Sequence, residues 1–139
     1  MRMVNIKDGY AIQLAVKLGI KIAIITGGNS KCVDVRYKGL GVEDVFLGVG
    51  YKLPTLNEWM AKYGLKPDEV AFMGDDIPDY EVMKAVGLSC APADAASDII
   101  EIAKYVSPIE GGKGCGRDLI EQILRAQGKW LADKKAFGW

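Results

Sequence analysis

Three carboxylates stand close together where a run of apolar residues ends. The apolar run at 70–73 predicts a buried strand, and Gly74, Asp75, Asp76 and Asp79 follow it directly. Carboxylates this close repel one another unless a cation neutralises them, and their oxygens are ligands that suit Mg²⁺. We therefore expect Asp75 and Asp76 to bind a metal, with Asp79 at the start of the next helix. The alternative interpretation is an acidic turn that contacts only solvent.

A second stretch carries groups that can bind an anion. Thr26 follows the apolar stretch 20–25, and Gly27 and Gly28 place backbone N–H groups beside its hydroxyl, near a helix start. Such an arrangement is a natural cradle for an oxyanion. The plainer alternative is an ordinary helix entry that Ser30 caps.

Lys52 follows a glycine-bounded turn at 48–50 and precedes a predicted helix. Taken alone, a lysine in this place is usually solvated. A hydroxyl, backbone N–H groups, an ammonium and an acidic metal site on one rim together suit a phosphoryl group, because phosphoryl transfer depends on positioning and charge neutralisation.

Composition excludes several classes of protein. The 139 residues carry 18 basic and 18 acidic side chains, so no net field favours nucleic acid or a membrane surface. Histidine is absent, which excludes nucleophiles activated by histidine and histidine metal sites. Cys32, Cys90 and Cys115 are odd in number and widely spaced, which predicts free thiols and a cytoplasmic protein. No apolar run is long enough to span a membrane.

Strands and helices alternate along the chain, which predicts an α/β fold with a mostly parallel sheet between two layers of helices. We expect one domain over residues 1–139, with a basic and aromatic tail at 128–139 that docks on a neighbouring subunit or stays disordered. Loops at the carboxyl ends of the strands then share one rim. Helices are predicted at 8–18 (capped by Asp8), 30–40, 54–63, 79–86, 95–103 and 117–127, and strands at 20–25, 45–47, 70–73, 88–90 and 105–106.

The order of these motifs resembles the haloacid dehalogenase superfamily of phosphatases. A strand followed by Thr26-Gly27, then Lys52 before a helix, then Asp75-Asp76 with Asp79 matches that superfamily's second, third and fourth motifs. Further segments look like the 3-deoxy-D-manno-octulosonate 8-phosphate phosphatase family, namely residues 4–10, 22–27, 74–79, 111–114 and 124–129.

The resemblance implies a capless, homotetrameric and Mg²⁺-dependent phosphomonoester hydrolase that acts on a sugar-acid phosphate in lipopolysaccharide core synthesis. It implies a Rossmann-like three-layer fold and a small-molecule substrate rather than nucleic acid or a membrane. It implies that Asp75 binds Mg²⁺, with Asp76 beside the metal, and that Thr26, Gly27, Lys52 and Asp79 bind the phosphoryl group or take part in catalysis. It also implies that the sugar is bound by Lys7, Asp8, Gly9 and Lys113. In the tetramer, Lys113 and the tail would close the site.

One motif of the family is missing. Its members begin with a strand that ends in Asp-x-Asp-Gly, where the first aspartate is the nucleophile and the second the general acid and base. No Asp-x-Asp-Gly occurs in this sequence, and Asp8 is the only aspartate before Thr26. The resemblance thus implies a chain that starts after the first motif and is inactive as given.

The missing strand would be the central one, between the strands at 22–25 and 70–73. We expect these neighbours to pair with each other, residues 1–6 to fill the space, or another chain to supply a strand.

Other functions stay open at this point. One is a non-catalytic oligomerisation or binding module of the same fold, and another is a phosphatase of a related nonulosonate 9-phosphate. A receiver domain of flavodoxin-like topology also combines paired acids with a threonine and a lysine. Its acid pair lies early in the chain, however, whereas Asp75 and Asp76 lie late.

Overall fold

The computed structural model describes residues 6–111, 113–132 and 137, with side chains from residue 9 onward. Helices and parallel strands alternate, as the sequence predicts. The helices are α1 (Ile6–Lys17), α2 (Lys31–Gly39), α3 (Lys52–Tyr63), α4 (Tyr80–Ala85), α5 (Ser97–Ile102) and α6 (Cys115–Ala126). The strands are β1 (Ala23–Ile25), β2 (Asp44–Phe46), β3 (Ala71–Met73), β4 (Leu88–Ala91) and β5 (Tyr105–Val106). Two 3₁₀ turns lie at Pro67–Glu69 and Ile77–Asp79.

The strands form two half-sheets rather than one continuous sheet. Strands β1 and β2 pair in parallel, and β3, β4 and β5 form a second parallel set in that order. Among the described residues β1 and β3 do not pair, so the expectation that these neighbours close on each other is wrong. The alternative that residues 1–6 fill the space falls largely on residues outside the described part of the chain.

Helix α3 packs against both half-sheets. Leu56, Trp59 and Met60 are its buried residues, and they belong to one apolar cluster with Val70 and α4. We call this set the α3 cluster. Side chains from β1, β2 and β3 contact it, namely Ala23, Ile25, Phe46 and Phe72. Hydrophobic burial on a single helix therefore connects the two halves of the fold.

The opposite face of β1 and β2 is covered by α1, α2 and α6. Ile22, Ile24 and Val45 pack there against Ile12 and Ile120, which confirms the sandwich of parallel strands between helices. No described helix is both long and apolar enough to cross a membrane.

The start of the predicted tail packs on its own chain. The Trp130 ring meets Tyr10 of α1 edge-on, with ring centroids 6.2 Å apart, and lies in an apolar cluster with the fully buried Leu124. Trp130 is therefore ordered against its own chain, and docking of the tail on a neighbouring subunit stays a prediction. Residues 133–136, 138 and 139 lie outside the described part.

Several predicted boundaries differ from the structure. Helix α1 starts at Ile6, so Asp8 lies inside it and is not its cap. Ser30 stands at the N-cap of α2 but makes no side-chain capping hydrogen bond. The strand expected at 20–25 is only Ala23–Ile25, because a short strand without a second partner forms fewer ladder bonds.

Candidate active site

An ion pair between Lys52 and Asp79 lies where β2 and β3 end. Lys52 is the first residue of α3, not the residue before a helix, and its Nζ lies 2.7 Å from Asp79 Oδ1. The side chains are only 16% and 5% exposed. Because Lys52 follows one half-sheet and Asp79 follows the other, the pair also links the halves at their carboxyl ends.

The second oxygen of Asp79 accepts backbone hydrogen bonds. Asp79 Oδ2 accepts from the N–H of Asp75 at 3.0 Å and from that of Asp76 at 3.4 Å. Asp76 in turn accepts from the N–H of Ile77 at 2.8 Å and caps the 3₁₀ turn there. Lys52 and these N–H groups therefore compensate the negative charge of Asp79. Asp79 thus does not need a metal ion to neutralise it.

Gly74 is needed for space. A Cβ at this position would lie 2.4 Å from Asp79 Cβ and 2.9 Å from the sulfur of Met83. Its φ is not in the left-handed region, so the backbone conformation itself does not require glycine. Packing of Asp79 against the backbone is the reason for glycine here.

The Thr26 loop is hydrogen-bonded to the loop that leads to Lys52. The N–H of Gly28 donates to Thr26 Oγ1 at 3.2 Å, so the Thr26 hydroxyl accepts this bond and can still donate its own hydrogen. The N–H of Val49 donates to the Thr26 carbonyl at 3.0 Å, and the N–H of Gly48 donates to the Gly28 carbonyl at 2.9 Å. These bonds fix the position of Thr26 relative to the start of α3.

Sequence reasoning missed the contact between Asn29 and Gly48. Gly48 has a positive φ of 64°, and a Cβ on it would lie 2.4 Å from Asn29 Oδ1. Only glycine combines this backbone with so close a neighbour. The glycine-bounded turn before Lys52 was the available signal, but the sequence does not show what approaches it.

A ready-made acidic metal site is not present among the described residues. No group of three or more Asp, Glu, Cys or His side chains there is arranged to bind a metal. Asp75 and Asp76 are exposed, whereas Asp79 is buried against Lys52. Mg²⁺ commonly uses one or two protein carboxylates together with water and phosphate oxygens. Asp75 and Asp76 are compatible with such a partial site, and their binding of Mg²⁺ stays a prediction.

The other predicted site residues are not joined to this centre by contacts among the described residues. Lys7 and Asp8 lie in α1, with side chains outside the described part. Gly9 is buried, and a Cβ on it would lie 2.7 Å from an Arg36 nitrogen. Lys113 is exposed in the loop before α6. Their assignment to the sugar end of a substrate stays a prediction.

Sequence and structure comparisons identify relatives of this chain. Residues 50–114 match the profile of haloacid dehalogenase-like hydrolases. The chain is 40% identical over 129 residues to the 3-deoxy-D-manno-octulosonate 8-phosphate phosphatase of Escherichia coli K12, covering 93% of this chain and 69% of the relative.

Two crystal structures extend the comparison. A probable YrbI family phosphatase from Pseudomonas syringae superposes with a TM-score of 0.92 at 39% identity, covering 95% of this chain and 75% of that one. The 3-deoxy-D-manno-octulosonate 8-phosphate phosphatase of Moraxella catarrhalis was solved with magnesium, phosphate and the sugar acid. It superposes with a TM-score of 0.86 at 32% identity, and the match covers 88% of this chain and 71% of that one. The fold of this chain thus closely matches that of the Pseudomonas protein over nearly its whole length.

The fold, the profile match and the rim of strand-end loops define a haloacid dehalogenase-like hydrolase. Within that class, the chain belongs to the family of 3-deoxy-D-manno-octulosonate 8-phosphate phosphatases. The resemblance recognised from the sequence motifs is confirmed.

Proposed function

We propose that this chain forms most of a Mg²⁺-dependent phosphomonoester hydrolase for 3-deoxy-D-manno-octulosonate 8-phosphate, in cytoplasmic synthesis of the lipopolysaccharide core. The Lys52–Asp79 pair is the observation that carries this proposal. An ammonium fixed by a buried carboxylate at the strand ends is a preorganised positive charge, which stabilises charge on a transferring phosphoryl group. The magnesium, phosphate and sugar acid bound to the Moraxella relative support the same substrate class.

In this proposal Thr26, Gly27 and Lys52 bind the phosphoryl oxygens. Lys52 gives one hydrogen to Asp79, and an ammonium has two more donors for a phosphate. Asp79 acts as a positioning residue for Lys52. Asp75 and Asp76 would bind Mg²⁺, which when present offsets the charge of the phosphoryl group.

The sugar end and the assembly complete the proposal. Lys7, Asp8, Gly9 and Lys113 bind the sugar acid, and four copies of the chain assemble around the sites. Tyr51, adjacent in sequence to Lys52, is 85% exposed and offers an aromatic surface at the rim for a neighbouring copy.

Turnover also requires a nucleophile. In the proposed reaction a carboxylate oxygen attacks phosphorus, the ester P–O bond breaks and the sugar acid leaves with a proton; water then hydrolyses the aspartyl phosphate. The sequence has no Asp-x-Asp-Gly, and Asp79 is already engaged with Lys52. We therefore infer that the 139-residue chain alone does not hydrolyse the substrate.

The test compares the 139-residue chain with a fusion that adds an apolar strand ending in Asp-x-Asp-Gly before Met1. Phosphate release is measured with Mg²⁺ on the octulosonate 8-phosphate and on a nonulosonate 9-phosphate. We expect turnover from the fusion alone, with the first substrate preferred. Asp75→Asn in the fusion should reduce it by about 100-fold, because a metal-site carboxylate is lost.

Turnover by the 139-residue chain that disappears with Asp75→Asn would reject the inferred lack of a nucleophile. A folded fusion that hydrolyses neither substrate would reject the phosphatase function and favour a non-catalytic binding module.

A further inference from the structure

Three loops follow the parallel strands β3, β4 and β5 and lie at the same edge of the second half-sheet. The first holds Asp75 and Asp76, and we call it the Asp75 turn. The second is the segment 92–96, the β4 loop, and the third is the segment 107–114, the Lys113 loop. Because β4 is the middle strand, the β4 loop lies between the other two.

The β4 loop is hydrogen-bonded to the Asp75 turn on one side. The N–H of Ala96 donates to the Asp75 carbonyl at 2.9 Å. Within the loop, the N–H of Ala95 donates to the Pro92 carbonyl at 3.2 Å, and Pro92 is buried. The β4 loop is therefore a short, hydrogen-bonded turn whose position is tied to that of the Asp75 turn.

On its other side the β4 loop is hydrogen-bonded to the Lys113 loop. The N–H of Ala93 donates to the Ile109 carbonyl at 3.0 Å, and the N–H of Gly111 donates to Asp94 Oδ1 at 2.7 Å. The second bond has a carboxylate acceptor, which makes it a short charge-assisted bond. Asp94 thus holds the chain two residues before Lys113, and the link from the Asp75 turn to this lysine is indirect, through the β4 loop.

The rest of the Lys113 loop is short and anchored at both ends. Ser107 Oγ donates to Asp118 Oδ2 at 2.8 Å and accepts from the N–H of Ile109 at 3.1 Å. At the other end the loop runs into α6, and the N–H of Lys113 donates to the Glu110 carbonyl at 3.2 Å. The Lys113 side chain is exposed, so its ammonium is accessible to a ligand, while the anchored backbone limits where it can reach.

We propose that Asp94 is a positioning residue, which holds Lys113 where its ammonium binds the carboxylate of the sugar acid. Asp94 thereby sets a preference for acidic over neutral sugar ends. This inference rests on the proposed function, in which Lys113 binds the sugar end of the substrate. An ammonium gains from a carboxylate only when it reaches it, and a loop that moves must first be ordered at a cost in entropy.

The sign of the effect distinguishes positioning from simple electrostatics. Asp94 is exposed and anionic, so its field alone opposes an anionic ligand. If Asp94 acted only through this field, removing the carboxylate would tighten binding of the sugar acid. If Asp94 holds the Lys113 loop, removing its hydrogen bond to Gly111 weakens that binding instead.

Ligand titrations followed by NMR, on the 139-residue chain with Mg²⁺, test the proposal. Because we infer that this chain does not hydrolyse the octulosonate 8-phosphate, that ester can be titrated at equilibrium, beside its C1 amide, which lacks the carboxylate charge. The Gly28 amide reports phosphoryl binding, and the Gly111 amide reports the Lys113 loop. We expect the parent chain to bind the acid about tenfold more tightly than the C1 amide.

Asp94→Ala should weaken binding of the acid about tenfold and leave binding of the C1 amide nearly unchanged, because only the acid pairs with the Lys113 ammonium. Asp94→Asn keeps an acceptor oxygen for Gly111, so it should bind the acid within about twofold of the parent chain. Lys113→Met should abolish the preference for the acid. Asp98→Ala is the matched control, because it removes an exposed carboxylate from α5 and should not weaken binding of the acid.

Several results would overturn the positioning role. They are binding of the acid by Asp94→Ala as tight as by the parent chain or tighter, equal weakening of the acid and the C1 amide, or an equal loss in Asp94→Asn. A parent chain that shifts the Gly28 amide with both ligands but shows no preference would reject this inference and leave the proposed function standing. A parent chain that binds neither ligand would reject the proposed function, and this inference with it.

Discussion

Asp79 is the residue on which the candidate site depends. One of its oxygens pairs with the Lys52 ammonium, at the start of α3 after β2. The other accepts from the backbone N–H groups of Asp75 and Asp76, which follow β3. A buried carboxylate is stable only when it is paired and hydrogen-bonded, and Asp79 satisfies both conditions. The residue is therefore structural as well as a candidate for positioning Lys52.

Replacing Lys52 should show that the stability of the fold depends on the cation paired with Asp79. Lys52→Met leaves the Asp79 charge buried without its cation, and we expect a loss of about 2 kcal/mol in the free energy of unfolding, measured in urea. Lys38→Met is the matched control, because it removes an exposed i,i+4 pair with Asp34 at 3.1 Å and should cost less than about 0.5 kcal/mol. Equal losses in the two variants would contradict the prediction.

Asp44 forms a second buried cluster, at the opposite end of β2. It accepts hydrogen bonds from Trp59 Nε1 at 3.2 Å, Lys62 Nζ at 2.6 Å and Tyr63 Oη at 2.5 Å. Burial raises the pKa of Asp44, but these hydrogen bonds lower it by more, so the pKa lies below its usual value of 3.8. The ionised carboxylate thus stabilises the fold above pH 3.8, and this contribution is lost as pH falls through the lower folded-state pKa.

Asp44→Asn should therefore show a pH-dependent defect. At pH about 7 we expect the variant to lose about 2 kcal/mol of unfolding free energy, and the difference from the parent should shrink as pH falls below about 4. Thermal or urea unfolding over this pH range measures it, with Asp34→Asn as the control, because the Asp34 side chain is 29% exposed. A difference that stays constant down to pH about 2 would mean that the Asp44 charge is not the cause.

At the scale of elements, single side chains join helices to strands. Asp118 of α6 accepts hydrogen bonds from Tyr105 Oη of β5 at 2.5 Å and from Ser107 Oγ at 2.8 Å. The hydrogen bond to Asp118, together with burial, raises the pKa of Tyr105 to about 12. This contact anchors the last helix to the last strand.

Asp118→Asn should lower the pKa of Tyr105 from about 12 towards its ordinary value of 10.0, because the phenol then donates to a neutral amide. The phenolate absorbance of each form, compared with that of its Tyr105→Phe derivative, isolates this titration from the other tyrosines. Glu121→Gln, which removes the carboxylate that pairs with Arg125 on the same helix, should leave it unchanged. A Tyr105 pKa still near 12 in Asp118→Asn would disprove the assigned cause.

At the scale of the whole molecule, α3 makes one folding unit of two half-sheets. No described ladder bond connects β1 to β3. Apolar burial on α3 and the Lys52–Asp79 pair connect the halves, together with α6, whose Ile120 packs with β1 and β2 and whose Asp118 binds Tyr105 of β5. Stability of either half should consequently depend on residues of α3.

Leu56→Ala tests this coupling, since Leu56 is 2% exposed within the α3 cluster. We expect a loss of about 3 kcal/mol from the cavity and the lost burial. Amides of Ile24 in β1 and Phe72 in β3 should lose protection by the same factor, as hydrogen exchange would report. The exposed Val35→Ala serves as control, and loss of protection in only one half would show that the halves unfold separately.

The sequence by itself determined the order of helices and strands, the α/β class and the family. Apolar runs, glycines and the Thr26, Lys52 and Asp75 motifs are local patterns, which can be recognised in one sequence without a structure. The sequence also predicted that Thr26, Lys52, Asp75 and Asp79 follow the ends of strands. It did not predict that Asp8 lies within α1, because the cap of a helix depends on where the preceding chain runs.

Only the tertiary structure decided how these pieces combine. Lys52 and Asp79 are 27 residues apart, so their pairing follows from the packing of β2, β3 and α3 and not from spacing. The division of the sheet was decided in the same way. A strand such as β1 carries the same apolar residues whether its far edge is paired or open, since only the neighbouring chain supplies the hydrogen-bond partner.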